Sequence, residues 1–597
     1  MLVDTLNILP LLNNVVKSNA RKTALVHESE KITFEQLDTQ SNKLANYLKS
    51  KGITINIPIC FCLDQSIEKV VVMLSVWKAG GAYVSLDPLY PEARLQHILE
   101  DTDSPVLITT KAFSTKFPLY SGELILLDEQ RDEIGAETSK TFDLEHEDGL
   151  AYLAYTSGST GIPKAVMAEH RGLGNFISGF GTFLNAGEND TVLNISSSNF
   201  DGIVLDLWVP LSLGMTVFLY PDNRIVGEPL LQFIREKEIS ILPYLPMSIL
   251  ATLPTDQPIG NLRKICTGGE APLVQVVEHW KKKTELINIY GPTETTVVVC
   301  GFEFDESHPV NTIGKPLPNV DFYVLDEEMK ALPEGDVGEL YIGGIQVSRG
   351  YYNQPELTAE RFLDFITPEG MTNRVYKTGD LVRRLADGTI EFVGRADQQV
   401  KIRGFRVEPV EIEETIRQSG LVENCIIIIR ENQDEKQLIC FYKNDKNKTT
   451  FPEDLRAYLF EQLPPYMIPS RFLEIEAFPL TANGKIDKTV LKNWRLTEEK
   501  RKHYTGPQTP LQEQLALLWG TVLNIKTVGI HDNFFQFGGN SILAYKVVIQ
   551  MREKLQLVLQ IADLFSHPTI HDLEQFILGK DFEENEFLDS PDTNTPL

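Results

Sequence analysis

Short apolar runs of strand length alternate with helix-like segments over about 400 residues, which restricts the chain to α/β layers with largely parallel sheets. Residues 41–48 have helical spacing, and residues 70–81 read as a buried helix stopped by Gly80 and Gly81. Residues 82–88 follow as a strand and turn, and residues 106–109 and 124–127 are further short strands. At 597 residues the chain is long enough for roughly three to five domains.

The polar chemistry falls where these strands end. The apolar run Leu150-Ala151-Tyr152-Leu153-Ala154 leads into Tyr155-Thr156-Ser157-Gly158-Ser159-Thr160-Gly161-Ile162-Pro163-Lys164. Glycines let backbone N–H groups approach a ligand closely, and hydroxyls and a lysine add donors for anionic oxygen, so the loop has the chemistry of a polyphosphate cradle. It is not a P-loop. Pro163 stands where that pattern has its second glycine, and Ala165 follows Lys164 where Ser or Thr is required. Residues 199–201 introduce a helix over 202–213, and residues 239–243 form a strand. Residues 262–270 and 286–294 are two strands, each running into a glycine turn at its carboxyl end, where open α/β sheets bind ligands.

After residue 312 shorter alternating strands (320–325, 338–342, 388–393) mark a small β-rich unit, and residues 394–397 mark a boundary. Strands at 400–403 and 425–430 with a helix at 409–419 form a small α+β unit. The polar stretch 496–508 reads as a linker, and a compact helical module follows it. The expected division is therefore 1–396, 397–495, a linker, a helical module at 509–578 and an acidic, disordered tail at 579–597.

The net charge of −27 argues against a nucleic-acid surface, and no apolar run reaches the roughly 18 residues of a membrane span. The N-terminus carries no secretion signal. Cys60, Cys62, Cys266, Cys300, Cys425 and Cys440 are sparse and lie in strand-like contexts, as expected of buried reduced thiols in a cytoplasmic protein.

Over residues 10–578 the chain resembles a nonribosomal peptide synthetase adenylation domain, of the acyl-adenylate-forming superfamily, fused to a peptidyl carrier domain. The resemblance rests on stretches at 78–88, 153–164, 200–214, 288–294, 343–362, 376–380, 394–406, 463–469, 480–487 and 532–542, which occur in the family's order. It implies an α/β adenylation core of two layers with a β-rich unit, a small mobile α+β subdomain and an all-α four-helix carrier. It implies ATP, Mg2+ and 4'-phosphopantetheine as cofactors.

The resemblance also assigns roles. Lys485, in Thr481-Ala482-Asn483-Gly484-Lys485, is the expected catalytic cation between the substrate carboxylate and the α-phosphate, two anions that repel. Taken singly it is an ordinary turn lysine. Glu294 is the expected Mg2+ ligand. Thr156, Ser157, Gly158, Ser159, Thr160, Gly161, Lys164 and Thr293 are expected around the phosphates, and Gly269 and Gly291 elsewhere in the ATP site. Asp380 suits the ribose diol, Tyr290 and Phe392 are candidates for adenine stacking, and Arg395 completes the nucleotide set. Asp397 matches the hinge, and Lys401 to Val407 form the loop that would reach the site for the second half-reaction. Ser541 is the expected phosphopantetheine attachment site. Pro409 and Ala165 depart from the family pattern at positions where both residues are sterically tolerable.

By position, the amino-acid pocket is Asp201, Gly202, Leu205, Ser248, Cys266, Gly268, Ile289, Val297 and Val298, with Lys485. Asp201 pairs with an α-ammonium, and a charged side chain would find no partner on the remaining wall. Small residues at 202, 248 and 268 leave room, so a neutral, mostly apolar side chain of medium to large size is expected. The implied partners are a phosphopantetheinyl transferase and a condensation or tailoring enzyme acting in trans; the chain reads as an initiation module, a freestanding loading protein or a piece of a longer synthetase. An acid–CoA ligase and a non-catalytic carrier or scaffold are the competing readings. Asp201 and the fused carrier oppose the first. The retained Lys485, Glu294 and Asp380 oppose the second.

Overall fold

The structure is a computed structural model. It describes residues 7–140, 148–158, 161–221, 226–367, 370–397, 399–402, 405–432, 435–445, 450–481, 485–494, 504–523, 525–535, 537, 539, 541–557, 559 and 561–586. The chain forms two compact units. One comprises Met1–Asn223 with Gly227–Glu411, and the other Ile412–Leu597 with Arg224–Val226.

In the first unit a six-stranded sheet runs in the order Glu123–Leu126, Val106–Thr109, Pro58–Phe61, Ala82–Ser85, Leu150–Thr156, Lys164–Glu169. All its pairs are parallel except the last, in which Thr156 lies opposite Lys164. The fold thus turns the opening loop back on itself, and Lys164 returns beside the strand end it left. A second sheet has a parallel core of Thr23–His27, Thr216–Leu219, Thr191–Asn194, Ile241–Leu242, Lys264–Gly268 and Glu285–Tyr290.

The β-rich region is continuous with this second sheet rather than a separate unit. Thr312–Pro316 pairs with Cys300–Glu303 on one side and Ile390–Arg395 on the other, and the long strand Thr372–Arg384 extends the sheet. Turn residues had marked a change of pattern, but an antiparallel extension keeps the hydrogen-bond ladder unbroken. The helix Ile67–Ala79 is buried except at Glu68, as its largely apolar sequence requires. Its one basic residue near the end, Lys78, donates to Asp38 at 2.6 Å and Ser41 at 2.8 Å. Gly80 closes it at φ 96°, a left-handed value.

The stretch read as a plain helix over 202–213 contains a π-helix at Val204–Trp208, closed by Val209 N–H onto Val204 C=O, before the α-helix Val209–Ser212. Pro210 has no N–H to continue an α ladder through this turn. The wide turn buries Asp206, which accepts from Asn194 Nδ2 (2.6 Å) and from the N–H groups of Ile195 (3.0 Å) and Ser196 (2.9 Å). Burial raises its carboxyl to about 6 even so.

The first unit runs on through Glu411, past the boundary expected at 397. A hairpin of Val400–Ile402 with Phe405–Val407 stays with the core. The second unit holds a sheet of Asn424–Asn432, Glu435–Lys443 and Arg471–Glu474, packed through Ile426, Ile428, Phe441 and Leu473. It also holds the carrier helices Pro510–Leu523, Ser541–Leu555, Ile561–Ser566 and Ile570–Glu586. The last of these continues past residue 579, so the first part of the stretch read as a disordered tail is helical. Residues 587–597 lie outside the described residues. Among the described residues no helix is long and apolar enough to cross a membrane, and all six cysteines are buried and outside any disulfide.

Candidate active site

Glu294 is the electrostatic centre of the first unit. Its side chain is fully buried. Lys164 Nζ lies 3.2 Å from Oε1, the Tyr351 hydroxyl donates to Oε1 at 2.8 Å, and Arg406 Nη1 reaches Oε1 and Oε2 at 2.9 and 2.8 Å. Lys164 also donates to the Tyr351 hydroxyl at 2.9 Å. Burial by itself would raise the carboxyl of Glu294. Arg406 and then Lys164 reverse this and hold it well below the ordinary carboxylate range. Burial draws the Lys164 ammonium down to about 8 against the pull of Glu294. Among the described residues no group of three or more His, Cys, Asp or Glu could hold a metal by itself. A lone buried carboxylate is the donor set of an ion held chiefly by phosphate and water, which is how Mg2+ is usually bound.

The opening loop is engaged by the segment that carries Arg406. Ser157 Oγ donates to the Arg406 carbonyl at 2.9 Å, and Gly158 N–H donates to Glu411 Oε2 at 3.1 Å. Glu411 is itself paired with Arg94 at 2.7 Å. Gly158 is required sterically, because a Cβ there would lie 1.7 Å from the Ile162 carbonyl oxygen. Gly161 has φ 84°. Thr156 Oγ1 is buried with no hydrogen-bond partner among the described residues. Ser159 and Thr160 lie outside the described residues.

The nucleotide set converges on Asp380. Its Oδ2 accepts from the Tyr290 hydroxyl and its Oδ1 from Arg395 Nη1 at 2.6 Å. Arg395 also clasps Asp397 through Nε and Nη2, both at 2.7 Å, so the expected hinge residue is tied to the residue beside Asp380. The rings of Tyr290 and Phe392 lie 6.4 Å apart at 45°. Gly269 has φ 77°, and a Cβ at Gly291 would lie 2.2 Å from the Val297 carbonyl oxygen.

Leu205, Cys266, Ile289, Val297 and Val298 all belong to the large buried core of the first unit. Asp201 is half-buried. Burial raises the Asp201 carboxyl, opposed by a hydrogen bond from Thr293 and by the charge of Lys401. Burial raises the Cys266 thiol to about 12, so it serves as an apolar wall.

The pocket is tighter than its small residues imply. A Cβ at Gly268 would lie 2.2 Å from the Ile289 carbonyl oxygen, so strand packing and not vacant space demands glycine there. A Cβ at Gly202 would lie 3.4 Å from the ring of Tyr244. The wall is also less uniformly aliphatic. Ser248 donates through N–H (2.8 Å) and Oγ (3.1 Å) to Glu270. Tyr244, Glu270, Tyr351 and Arg406 were not singled out from sequence. Their nearest local signals are the Gly-Gly-Glu turn for Glu270 and the 401–407 loop for Arg406.

In the second unit Lys485 is exposed. Its N–H donates to Thr481 Oγ1 at 3.3 Å, its carbonyl accepts from Thr481 N–H at 2.7 Å, and a bridge pairs Leu480 with Ile486. Ser541 begins the helix Ser541–Leu555.

This fold and site define a class. Residues 12–352 match the AMP-binding enzyme family, residues 411–485 the AMP-binding enzyme C-terminal domain, and residues 513–577 a phosphopantetheine attachment site. The chain belongs to the AMP-binding enzymes, with the domain order of a nonribosomal peptide synthetase adenylation domain and its carrier. The first domain uses ATP and Mg2+, and the last carries 4'-phosphopantetheine.

The chain is 37% identical over 563 residues to tyrocidine synthase 1 of Brevibacillus parabrevis, covering 93% of this chain and 51% of that protein. It is 37% identical over 583 residues to gramicidin S synthase 2 of Brevibacillus brevis, covering 96% of this chain and 13% of that protein. The chain thus spans about half or less of these relatives. A solved NRPS protein containing adenylation and PCP domains, bound to a vinylsulfonamide inhibitor, superposes with TM-score 0.81 at 25% identity over 96% of each chain. A four-domain nonribosomal peptide synthetase bound to AMP and glycine gives TM-score 0.59 at 30% identity, over 96% of this chain and 42% of that one.

Proposed function

We propose that the chain activates an α-amino acid with ATP and loads it onto its own carrier domain. A substrate carboxylate oxygen bonds to the α-phosphorus as pyrophosphate leaves. Ser541 would carry the phosphopantetheine arm, which would supply the thiol that accepts the acyl group as AMP is released. The observation that carries this reading is Asp201, a half-buried carboxylate accepting from Thr293, in the same unit as Asp380 and Glu294. A half-buried carboxylate that meets an α-ammonium gains a charged partner, and an apolar pocket wall suits a neutral side chain. Because the Ile289 carbonyl fills the space beside Gly268, Val, Leu and Ile fit this pocket better than Trp.

Amino-acid-dependent pyrophosphate exchange across the twenty amino acids should peak at an aliphatic one. A peak at Lys, Glu or Asp overturns the pocket assignment. Asp201→Ala should lower kcat/KM for the amino acid roughly 100-fold, the scale for removing one partner of a buried charged pair.

Glu294 is the residue that would hold Mg2+, which supplies positive charge to the phosphate oxygens when bound. The contact of Arg406 Nη1 with both carboxylate oxygens places a guanidinium on that same carboxylate. The hairpin bearing Arg406 therefore serves the thioester-forming half of the cycle. Arg406→Ala should reduce carrier loading about 10- to 100-fold, the range for a lost hydrogen bond to a charged group, while pyrophosphate exchange stays within about threefold. Equal losses in both assays would assign Arg406 to adenylation instead. The carrier is expected to need a phosphopantetheinyl transferase, and a condensation or tailoring enzyme to take its product.

A further inference from the structure

The amino-acid wall contains a backbone irregularity with a specific support. Thr296 and Val297 both have left-handed φ values, 55° and 73°. For a β-branched residue such as Val297 this is a true outlier, which persists only where the surroundings enforce it. What enforces it is Gln346, whose side chain is fully buried in the turn after the strand Val337–Gly344. Its Nε2 donates to three carbonyls of the irregular turn, those of Thr295 (3.3 Å), Thr296 (3.3 Å) and Val298 (2.9 Å). Its Oε1 accepts from Asn175 Nδ2 at 3.0 Å, and its own carbonyl accepts from Thr296 Oγ1 at 2.8 Å.

Three carbonyl neighbours on one side and an amide donor on the other fix which end of the Gln346 amide is which. Asn175 is locked in turn. Its Nδ2 donates to the Pro318 carbonyl at 2.9 Å and its Oδ1 accepts from Asn319 Nδ2 at 2.8 Å. The loop that carries Gln346 also reaches Glu294, where Ser348 N–H donates to the Glu294 carbonyl at 2.9 Å. A single buried amide thus gathers carbonyls that would otherwise diverge, and it does so immediately behind Val297 and Val298.

We infer that Gln346 is a positioning residue for amino-acid selection: its carboxamide holds the Thr296–Val297 turn in the left-handed conformation that presents Val297 and Val298 to the substrate side chain. This rests on the pocket reading above. It predicts a separation of the two substrates. Gln346→Glu keeps the shape but turns an acceptor toward three carbonyls, and Gln346→Met keeps the length without donors.

Pyrophosphate exchange should show KM for the preferred amino acid raised at least tenfold in Gln346→Glu and less in Gln346→Met. The preference among the twenty amino acids should flatten in the same order, and KM for ATP should stay within twofold. A purely structural role would lower the unfolding temperature and the active fraction but leave both KM values and the preference unmoved, and that result overturns the inference. A parallel rise in KM for ATP overturns it as well. Val298→Ala tests the underlying reading in the same assay. If it shifts the preference and neither Gln346 variant does, the role of Gln346 fails alone. If Val298→Ala leaves the preference unchanged, the pocket reading fails and the inference falls with it. Should Gln346→Glu not fold, Gln346→Met carries the same comparison.

Discussion

Lys485→Ala is expected to slow amino-acid-dependent pyrophosphate exchange by roughly 10²–10³-fold, the cost of removing one preorganised charge from a developing oxyanion. The expectation follows from how the cations are used. Lys164 and Arg406 are both committed to Glu294, and Arg395 to Asp380 and Asp397. Lys485 is exposed on a turn closed by Thr481, and its ammonium makes no hydrogen bond or ion pair among the described residues. It is available for a charge that arrives only with substrate. Lys164→Ala should therefore cost less, because the Tyr351 hydroxyl still holds Glu294. Comparable losses in the two variants would show that the loop before Lys164 carries as much of the chemistry as Lys485. Carrier loading from supplied aminoacyl-AMP should survive Lys485→Ala, which separates a defect in adenylation from a general loss of fold.

The sequence made the layered α/β architecture readable because strand and helix periods are local, and each strand end that matters is followed by a glycine turn. Leu150–Thr156, Lys264–Gly268 and Glu285–Tyr290 all appear where apolar runs stop at polar residues. Three features were not legible, each for a physical reason. The join between the second sheet and the β-rich region depends on Thr312–Pro316 pairing on both edges, and pairing partners leave no local trace. The space beside Gly268 looked open because glycine has no side chain, whereas the backbone of Ile289 occupies it. Gln346 reads as a polar loop residue in Gly-Gly-Ile-Gln-Val-Ser, and only the fold brings carbonyls some fifty positions earlier within reach of its amide. Arg406 is intermediate. Its loop was marked as one that would reach the site, but its partner Glu294 was expected to face a metal.

Ser541→Ala should leave pyrophosphate exchange unchanged and abolish covalent loading, as read by the mass of the intact chain after treatment with a phosphopantetheinyl transferase, coenzyme A, ATP and the preferred amino acid. The wild-type chain should gain one phosphopantetheine and then one aminoacyl group, and the variant neither. The separation is expected because the two chemistries lie on different parts of the chain. Asp201, Glu294 and Asp380 belong to the first unit, and Ser541 opens a carrier helix in the second. The helix start is suited to its task. Its N-terminal N–H groups favour the negative charge of a phosphodiester. The turn before it is pinned: Gly539 N–H donates to the Phe534 carbonyl at 3.0 Å, a Cβ at Gly539 would lie 2.3 Å from the Phe534 ring, and that ring packs edge-on against Trp519 at 4.9 Å. Gly539→Ala should accordingly impair modification by forcing the turn away from Phe534 while exchange remains intact. If Ser541→Ala still loads an aminoacyl group, the thiol acceptor lies elsewhere. If it also loses exchange, the carrier is coupled to the adenylation chemistry more tightly than two separable half-reactions allow.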